Sequence, residues 1–354
     1  FGFMLHVRKC DKQKYSEACR PLLGHRVDGF WGKLIDLLAV FALLAGTATT
    51  FSLATPLLSM AISHVFHIPA SNLLTIGLLA IIGITYTIAV YFGMKGVSKL
   101  ASSCTYLFFA LLLYVLIGGG KARYTIETGI TAIGNLTQNF IGLCTWTDAL
   151  RTSSFPQTWT IFYWAYWMVW CVATPFFIGS ISGGRQTILG GYFWGLAGTF
   201  TSFIILGNYG LNLQMTGKID LIAFYQASGD LYETIITILG TLPLAKAGLI
   251  LLALTMIAFY ATSFDALTMV AASYSYKTLP SGKEPHRNVK LFWAILLMLL
   301  PIALIFSDNS MANLQTVSII AAFPIGIIIL LIIGSFFKDA KAYLKEYGDP
   351  GAKR

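Results

Sequence analysis

Residues 159–170 read Trp-Thr-Ile-Phe-Tyr-Trp-Ala-Tyr-Trp-Met-Val-Trp, and seven of these twelve residues are aromatic. The run opens a long apolar segment, so we predict a helix that crosses a membrane rather than one at a soluble surface. An α-helix turns by about 100° per residue, which brings several of the rings onto overlapping faces. The rings on these faces are Phe162, Tyr163, Tyr166, Trp167 and Trp170.

A ribbon of aromatic rings suits a cation that has no hydrogen-bond donors. A quaternary ammonium group can be held by cation–π attraction, at about 2 kcal/mol for each desolvated contact. The alternative is an aromatic belt, because Trp and Tyr collect at membrane interfaces. A belt accounts for Trp159 and Phe162 at the start of the run, but not for rings that continue through three turns. The pattern therefore favours a binding site for a methylated ammonium compound.

The composition defines the class of protein. Hydrophobic residues make up 56% of the 354 residues and charged residues 11%, against about 25% charged in soluble domains. A stretch of about 20 apolar residues spans a bilayer. We predict an all-α, polytopic membrane protein whose transmembrane domain covers 34–337. Its eight predicted spans are 34–65, 71–94, 101–118, 160–181, 187–206, 247–275, 291–307 and 313–337.

The basic residues indicate how the chain is oriented. With both ends in the cytoplasm, residues 1–33 form a cytoplasmic loop and residues 338–354 a cytoplasmic tail. Only five of the 24 Lys and Arg residues then lie on the outer side, as the positive-inside rule requires. These five are Lys121, Arg123, Arg151, Lys218 and Lys246. We predict a multi-pass protein of the cell membrane, with anionic lipids as partners of the inner loops and no nucleic-acid partner.

Hydroxyl groups inside the predicted spans indicate an ion. Thr262 and Ser263 are adjacent in the sixth span, and Thr47 and Thr50 lie in the first. Such hydroxyls coordinate Na⁺ in secondary transporters where the backbone carbonyls of an unwound helix complete the shell. The alternative is that they bond the carbonyl one turn earlier or join neighbouring helices. Both interpretations stay open at this stage.

The sequence offers little for an enzyme. The five His residues lie in loops or at span ends without a His-x-x-Glu-His pattern, and the five Cys residues have no metal-ligand spacing. Gly118-Gly119-Gly120 ends a span and precedes no Lys-Ser/Thr pair, so no phosphate-binding loop is predicted. We expect no enzymatic activity, no metal other than Na⁺ and no other cofactor. The energy for transport would come from an ion or a counter-substrate.

Four stretches of the chain carry a resemblance to a known family. They are the aromatic run with the later Ile181-Ser182-Gly183-Gly184-Arg185, Arg20-Pro21-Leu22-Leu23-Gly24 with Ile35-Asp36, Phe259-Tyr260-Ala261-Thr262-Ser263, and 314–322. With these residues the chain resembles the betaine/choline/carnitine transporter family. The resemblance implies twelve helices, of which the last ten form the inverted repeat of the leucine-transporter fold. This chain would hold the fifth to twelfth helices, lack the N-terminal ones, and belong to a homotrimer.

The resemblance also implies roles for individual residues. Trp167 matches a tryptophan of the substrate box, and Tyr166 stands where the family usually has Trp. The candidates for substrate binding are Trp167, Tyr166, Trp170, Phe162, Tyr163 and Trp164. The residues implied for Na⁺ are Thr262, Ser263 and Phe259 at one site and Thr47 and Thr50 at another, with Arg185 as the inner-gate cation.

The chain departs from the family pattern after Trp170. Val172-Ala173 stands where the family often has Pro-Phe, which puts the site of Thr47 and Thr50 in doubt. Sodium-independent exchangers of the family carry a basic side chain in the fifth helix. No Lys or Arg occurs between Leu34 and His67, which argues against that mode.

Together these observations predict a secondary transporter of a trimethylammonium compound such as betaine, choline or carnitine, working as a Na⁺ symporter. Two alternatives remain. One keeps the fold and exchanges quaternary amines without an ion gradient. The other is a membrane sensor that binds the same ligand without transporting it. Counterflow from preloaded vesicles identifies the first, and saturable binding without flux identifies the second.

Overall fold

The computed structural model describes residues 1–91, 94–181, 186–280, 283–305 and 311–348, and within these ranges the regular secondary structure is helical. Fifteen α-helices occur in the described part of the chain. The first eight are α1 (Arg20–Leu23), α2 (Phe30–Phe66), α3 (Asn72–Tyr91), α4 (Met94–Gly118), α5 (Ala122–Gln138), α6 (Phe140–Thr145), α7 (Ile161–Trp170) and α8 (Thr174–Ile181). The others are α9 (Gln186–Ser202), α10 (Asn208–Met215), α11 (Leu221–Ser228), α12 (Leu231–Gly240), α13 (Ala245–Tyr274), α14 (Arg287–Ile305) and α15 (Met311–Tyr347).

Six stretches of described helix are long and apolar enough to cross a membrane. They are Phe30–Phe66, Lys99–Gly118, Pro156–Gly179, Leu189–Met215, Ala245–Tyr274 and Gln315–Tyr347. Together with the family assignment given below, they confirm the all-α, polytopic class. The predicted spans 71–94 and 291–307 fall on α3 and α14, which are not among these six, so the count of eight spans stays a prediction.

The chain divides into two compact units. The first contains the described residues of Phe1–Ser52, Ser154–Gly184 and Asp265–Arg354. Within it α7 packs on both α2 and α15. A Cβ placed on Gly46 of α2 would lie 2.9 Å from Val169 Cγ1, and one placed on Gly326 of α15 would lie 3.4 Å from Met168 Sδ. Small residues at these crossings let the helix backbones approach closely, as is usual in membranes.

The N-terminal segment of the first unit is held by an ion-pair cluster. The Arg20 guanidinium donates hydrogen bonds to the carboxylates of both Glu17 and Asp28. Arg20, together with Lys12, holds the pKa of Asp28 well below its usual range, because its hydrogen bonds favour the charged carboxylate. Asp36, at the start of α2, accepts a hydrogen bond from the backbone N–H of Ser16 at 3.0 Å. The Arg20 and Asp36 motifs of the sequence are therefore structural anchors of this segment.

The second unit contains Leu53–Ser153 and Arg185–Phe264, again over its described residues. Its core joins α2, α4, α10, α12 and α13. The buried apolar residues of this core are Ala61, Val115, Tyr209, Leu213, Ile236, Leu239, Leu242 and Leu249. A cavity of about 450 Å³ lies beside the core and is lined mainly by aliphatic side chains, among them Leu57, Leu111 and Ile238. A mainly aliphatic lining has few groups that could bind a cation.

Candidate functional site

The aromatic run forms α7. A single π-helical turn, Pro156–Thr160, precedes this helix. Its rings differ widely in exposure. The Phe162 side chain is buried at 4% exposure, whereas Trp167 is 49% exposed, Tyr163 52% and Trp164 65%. The rings of α7 therefore include a buried one, Phe162, and three that are about half exposed or more.

Four pairs of rings on α7 are in contact. Tyr166 is the central ring, with centroid distances of 5.8 Å to Phe162, 6.0 Å to Trp167 and 6.3 Å to Trp170. Trp167 stands nearly edge-on to its neighbours, at 76° to Tyr166 and 65° to Tyr163, whose centroid lies 6.1 Å away. The steep angles between these rings form a corner of π-faces on α7.

Trp164 does not join this group. It lies two residues before Tyr166, which places it about 160° away around the helix. No ring contact of Trp164 is found among the described residues, and its side chain is the most exposed of the six predicted substrate residues. The structure thus brings together five of the six: Phe162, Tyr163, Tyr166, Trp167 and Trp170.

The hydroxyl groups of Thr50 on α2 and Tyr166 on α7 face one another at this site. The Thr50 hydroxyl lies 2.7 Å from the Gly46 carbonyl oxygen and 2.8 Å from the Tyr166 hydroxyl. The indole nitrogen of Trp170 is buried nearby, and the Trp170 ring contacts that of Tyr166.

A break in the helix follows the aromatic run. Residues 171–173 form turns between α7 and α8, and Pro175 lies in the first turn of α8. A proline removes the hydrogen bond to the carbonyl four residues earlier, which here is that of Cys171. The hydroxyl of Tyr15 donates to this carbonyl oxygen at 3.0 Å. No sequence pattern pointed to Tyr15; the only signal was that Pro175 frees the Cys171 carbonyl.

Tyr15 is enclosed by aromatic neighbours. It is 1% exposed, and its ring stacks on that of Phe1 at 5.2 Å, which in turn meets Phe176 of α8 at 5.2 Å. Burial raises the pKa of the Tyr15 hydroxyl, so this group remains a neutral donor at physiological pH. The N-terminal segment therefore stabilises the break that ends the aromatic helix.

The residues predicted for one Na⁺ site lie in the second unit. The Thr262 hydroxyl bonds the carbonyl oxygens of Ala258 at 3.2 Å and Phe259 at 2.9 Å. α13 is continuous through this point, so it contains no unwound turn here. The Phe259 ring contacts Phe108 of α4 at 5.8 Å. Thr262 thus shows the back-bonding arrangement, which still leaves lone pairs on its oxygen for a cation.

Of the residues predicted for the other site, Thr47 is wholly buried and its hydroxyl bonds the Leu43 carbonyl oxygen at 2.7 Å. Thr50 is the residue described above with Tyr166. The gate candidate Arg185 lies outside the described residues, so its role stays a prediction.

The long apolar helices of this all-α chain define its class as a polytopic membrane protein. The sequence profile described as betaine/carnitine/choline family transporter matches residues 1–345, so the chain belongs to this family. The assignment places it among transporters rather than enzymes, as predicted. It also confirms the family resemblance that the aromatic run carries.

Several bacterial transporters are similar to the chain. It is 27% identical to the uncharacterized transporter YeaV of Escherichia coli (strain K12), over 98% of this chain and 72% of the relative. It is 24% identical to a carnitine transporter of Acinetobacter baumannii (93% and 60% covered) and 31% identical to a probable glycine betaine transporter of Desulfitobacterium hafniense (92% and 65% covered). The chain thus spans only part of the length of these relatives.

Proposed function

We propose that the protein is a secondary transporter that carries a trimethylammonium compound, such as betaine, carnitine or choline, across the cell membrane. The observation that carries this proposal is the corner formed by Tyr163, Tyr166 and Trp167, with two of its three rings half exposed. The names of two relatives, a carnitine transporter and a probable glycine betaine transporter, support the same class of substrate.

The test is uptake of labelled betaine, carnitine and choline by proteoliposomes that contain the whole transporter. Saturable uptake of at least one compound supports the proposal. Saturable binding of all three without any uptake would make the protein a sensor instead. Choline lacks the carboxylate of the other two, so the order of the three compounds also shows whether an acceptor group contributes to binding.

We further propose that Na⁺ drives this transport through Thr262 and Ser263. Hydroxyl oxygens are ligands that a hard cation prefers, and removing one of them weakens the site. We expect Ser263→Ala to raise the Na⁺ concentration for half-maximal uptake about tenfold, which corresponds to roughly 1.4 kcal/mol. The measurement is initial uptake against Na⁺ concentration at constant ionic strength, with K⁺ as the replacing ion.

Thr255 supplies a matched control on the same helix. It lies seven residues before Thr262, on the same face, and its hydroxyl bonds the Leu251 carbonyl oxygen at 2.7 Å. Thr255→Val should leave the Na⁺ dependence unchanged. Uptake that is equal in K⁺ and Na⁺ would exclude sodium coupling, and exchange of quaternary amines, tested by counterflow, would then replace symport.

Both ends of the chain are proposed to lie in the cytoplasm, with α6 on the outer side. Cys144 of α6 is exposed, whereas Cys19 and Cys104 are buried. We expect a membrane-impermeant maleimide to label Cys144 in intact cells and to leave a Cys144→Ser variant unlabelled until the cells are lysed. Labelling of Cys144 only after lysis would show that the orientation is inverted. The homotrimer implied by the family stays a prediction.

A further inference from the structure

The two contacts of the Thr50 hydroxyl can be satisfied together by one arrangement of protons. A carbonyl oxygen accepts but never donates, so the Thr50 proton points to Gly46 O at 2.7 Å. In that arrangement the Tyr166 hydroxyl, 2.8 Å from Thr50 Oγ1, is the donor to Thr50. The single donor of Thr50 and one of its two lone pairs are both engaged within the protein.

This arrangement disfavours a cation at Thr50. A Na⁺ ligand must present a lone pair toward the ion, and here a phenolic proton already occupies part of the Thr50 oxygen's acceptor capacity. The proton exists because residue 166 is Tyr; tryptophan, the usual residue of the family pattern, has no hydroxyl. The Thr47 hydroxyl is wholly buried and bonds the Leu43 carbonyl oxygen at 2.7 Å, so it has no contact with Tyr166 that would parallel that of Thr50.

The same hydrogen bond has a clear effect on the aromatic site. Tyr166 is the ring that touches Phe162, Trp167 and Trp170, so fixing its hydroxyl fixes the ring at the centre of the group. Thr50 itself is held by α2, whose close approach to α7 at Gly46 sets the distance between the two hydroxyls. An orienting contact of this kind keeps binding groups in position before the ligand arrives.

We infer that Thr50 is a positioning residue for the ammonium site, acting through the Tyr166 hydroxyl, and that it is not a sodium ligand in this protein. The inference rests on the proposed function, since it assigns a substrate role to a residue that the family resemblance assigns to Na⁺. Substitutions of Tyr166 and of Thr50 should therefore affect transport through the loss of the same contact.

The test is a double-mutant cycle in proteoliposomes that contain the whole transporter, with labelled betaine, carnitine or choline, whichever is transported best. Thr50→Val and Tyr166→Phe should each raise the substrate KM about fivefold, the effect of losing one neutral hydrogen bond. The double variant should be no worse than either single variant, because both changes remove the same contact. Vmax and the half-saturating Na⁺ concentration should stay within about twofold of the wild-type values.

Thr50→Ser keeps the hydroxyl and is the conservative control; a KM within about twofold of wild type is expected. Two results would overturn the inference. One is a tenfold rise in half-saturating Na⁺ for Thr50→Val but not for Tyr166→Phe. The other is a double variant whose KM is the product of the two single effects. Absence of uptake by the wild-type protein would instead remove the proposed function, and this inference with it.

Discussion

Trp167→Ala is expected to reduce the affinity for a trimethylammonium substrate about 30-fold, measured as substrate KM in proteoliposomes. The Trp167 ring is 49% exposed and stands at steep angles to Tyr163 and Tyr166, so its face is available to a ligand. Loss of one desolvated cation–π contact removes about 2 kcal/mol, and each 1.4 kcal/mol is a factor of ten. Trp167→Phe keeps a π-face and should lose less.

Trp164 provides the control for this prediction, because it is a tryptophan on the same helix that does not join the ring group. Trp164→Ala should change the KM by less than about twofold. A neutral analogue, in which a tert-butyl group replaces the trimethylammonium group, should not compete for uptake by the wild-type protein. Equal losses for Trp164→Ala and Trp167→Ala, or strong competition by the neutral analogue, would refute the cation–π assignment.

Apolar runs and helical periodicity predicted much of the fold. A run of hydrophobic residues long enough to cross a bilayer is visible without tertiary information, and the residues of the predicted spans 34–65 and 247–275 lie largely in α2 and α13. Within the span predicted at 160–181 the helix gives way to turns at 171–173, although the sequence there stays apolar. A pattern of hydrophobicity reports burial in the membrane, but it does not report which backbone hydrogen bonds are made.

The sequence predicted the candidate site only up to a similar limit. The spacing of aromatic residues predicted that Phe162, Tyr166 and Trp170 share a face, and the ring contacts along α7 agree. The partner of Tyr166 depends on the register between α2 and α7, which no single helix encodes. The contact of Tyr15 was even harder to predict, because Tyr15 reaches the Cys171 carbonyl from a segment 156 residues away in sequence. Contacts between distant segments need the packed structure.

Gly46→Leu is expected to prevent correct folding of the first unit. A Cβ at this position would lie 2.9 Å from Val169 Cγ1, and Val169 is only 1% exposed, so it has no room to move. Overpacking of a core typically costs 1–3 kcal/mol, and a leucine at this crossing falls at about the upper limit. We expect most of the protein to be lost from the monodisperse peak in size-exclusion chromatography, and a lower Tm in the remainder.

Two further variants show whether the crossing itself is responsible. Gly77, in α3, has nothing within 4 Å of an added Cβ, so Gly77→Leu should leave both the chromatographic peak and the Tm unchanged. The Trp170 atoms lie 3.8 Å from a Cβ placed on Gly46, an ordinary contact, so Val169 is the neighbour that the added Cβ would crowd. Gly46→Ala combined with Val169→Ala should therefore be more stable than the sum of the two single effects predicts. Two results would contradict the prediction. One is that the effects of Gly46→Ala and Val169→Ala on Tm simply add. The other is that Gly77→Leu lowers the Tm and the chromatographic peak as much as Gly46→Leu; either would show that the close approach of α2 and α7 does not limit the residue at position 46.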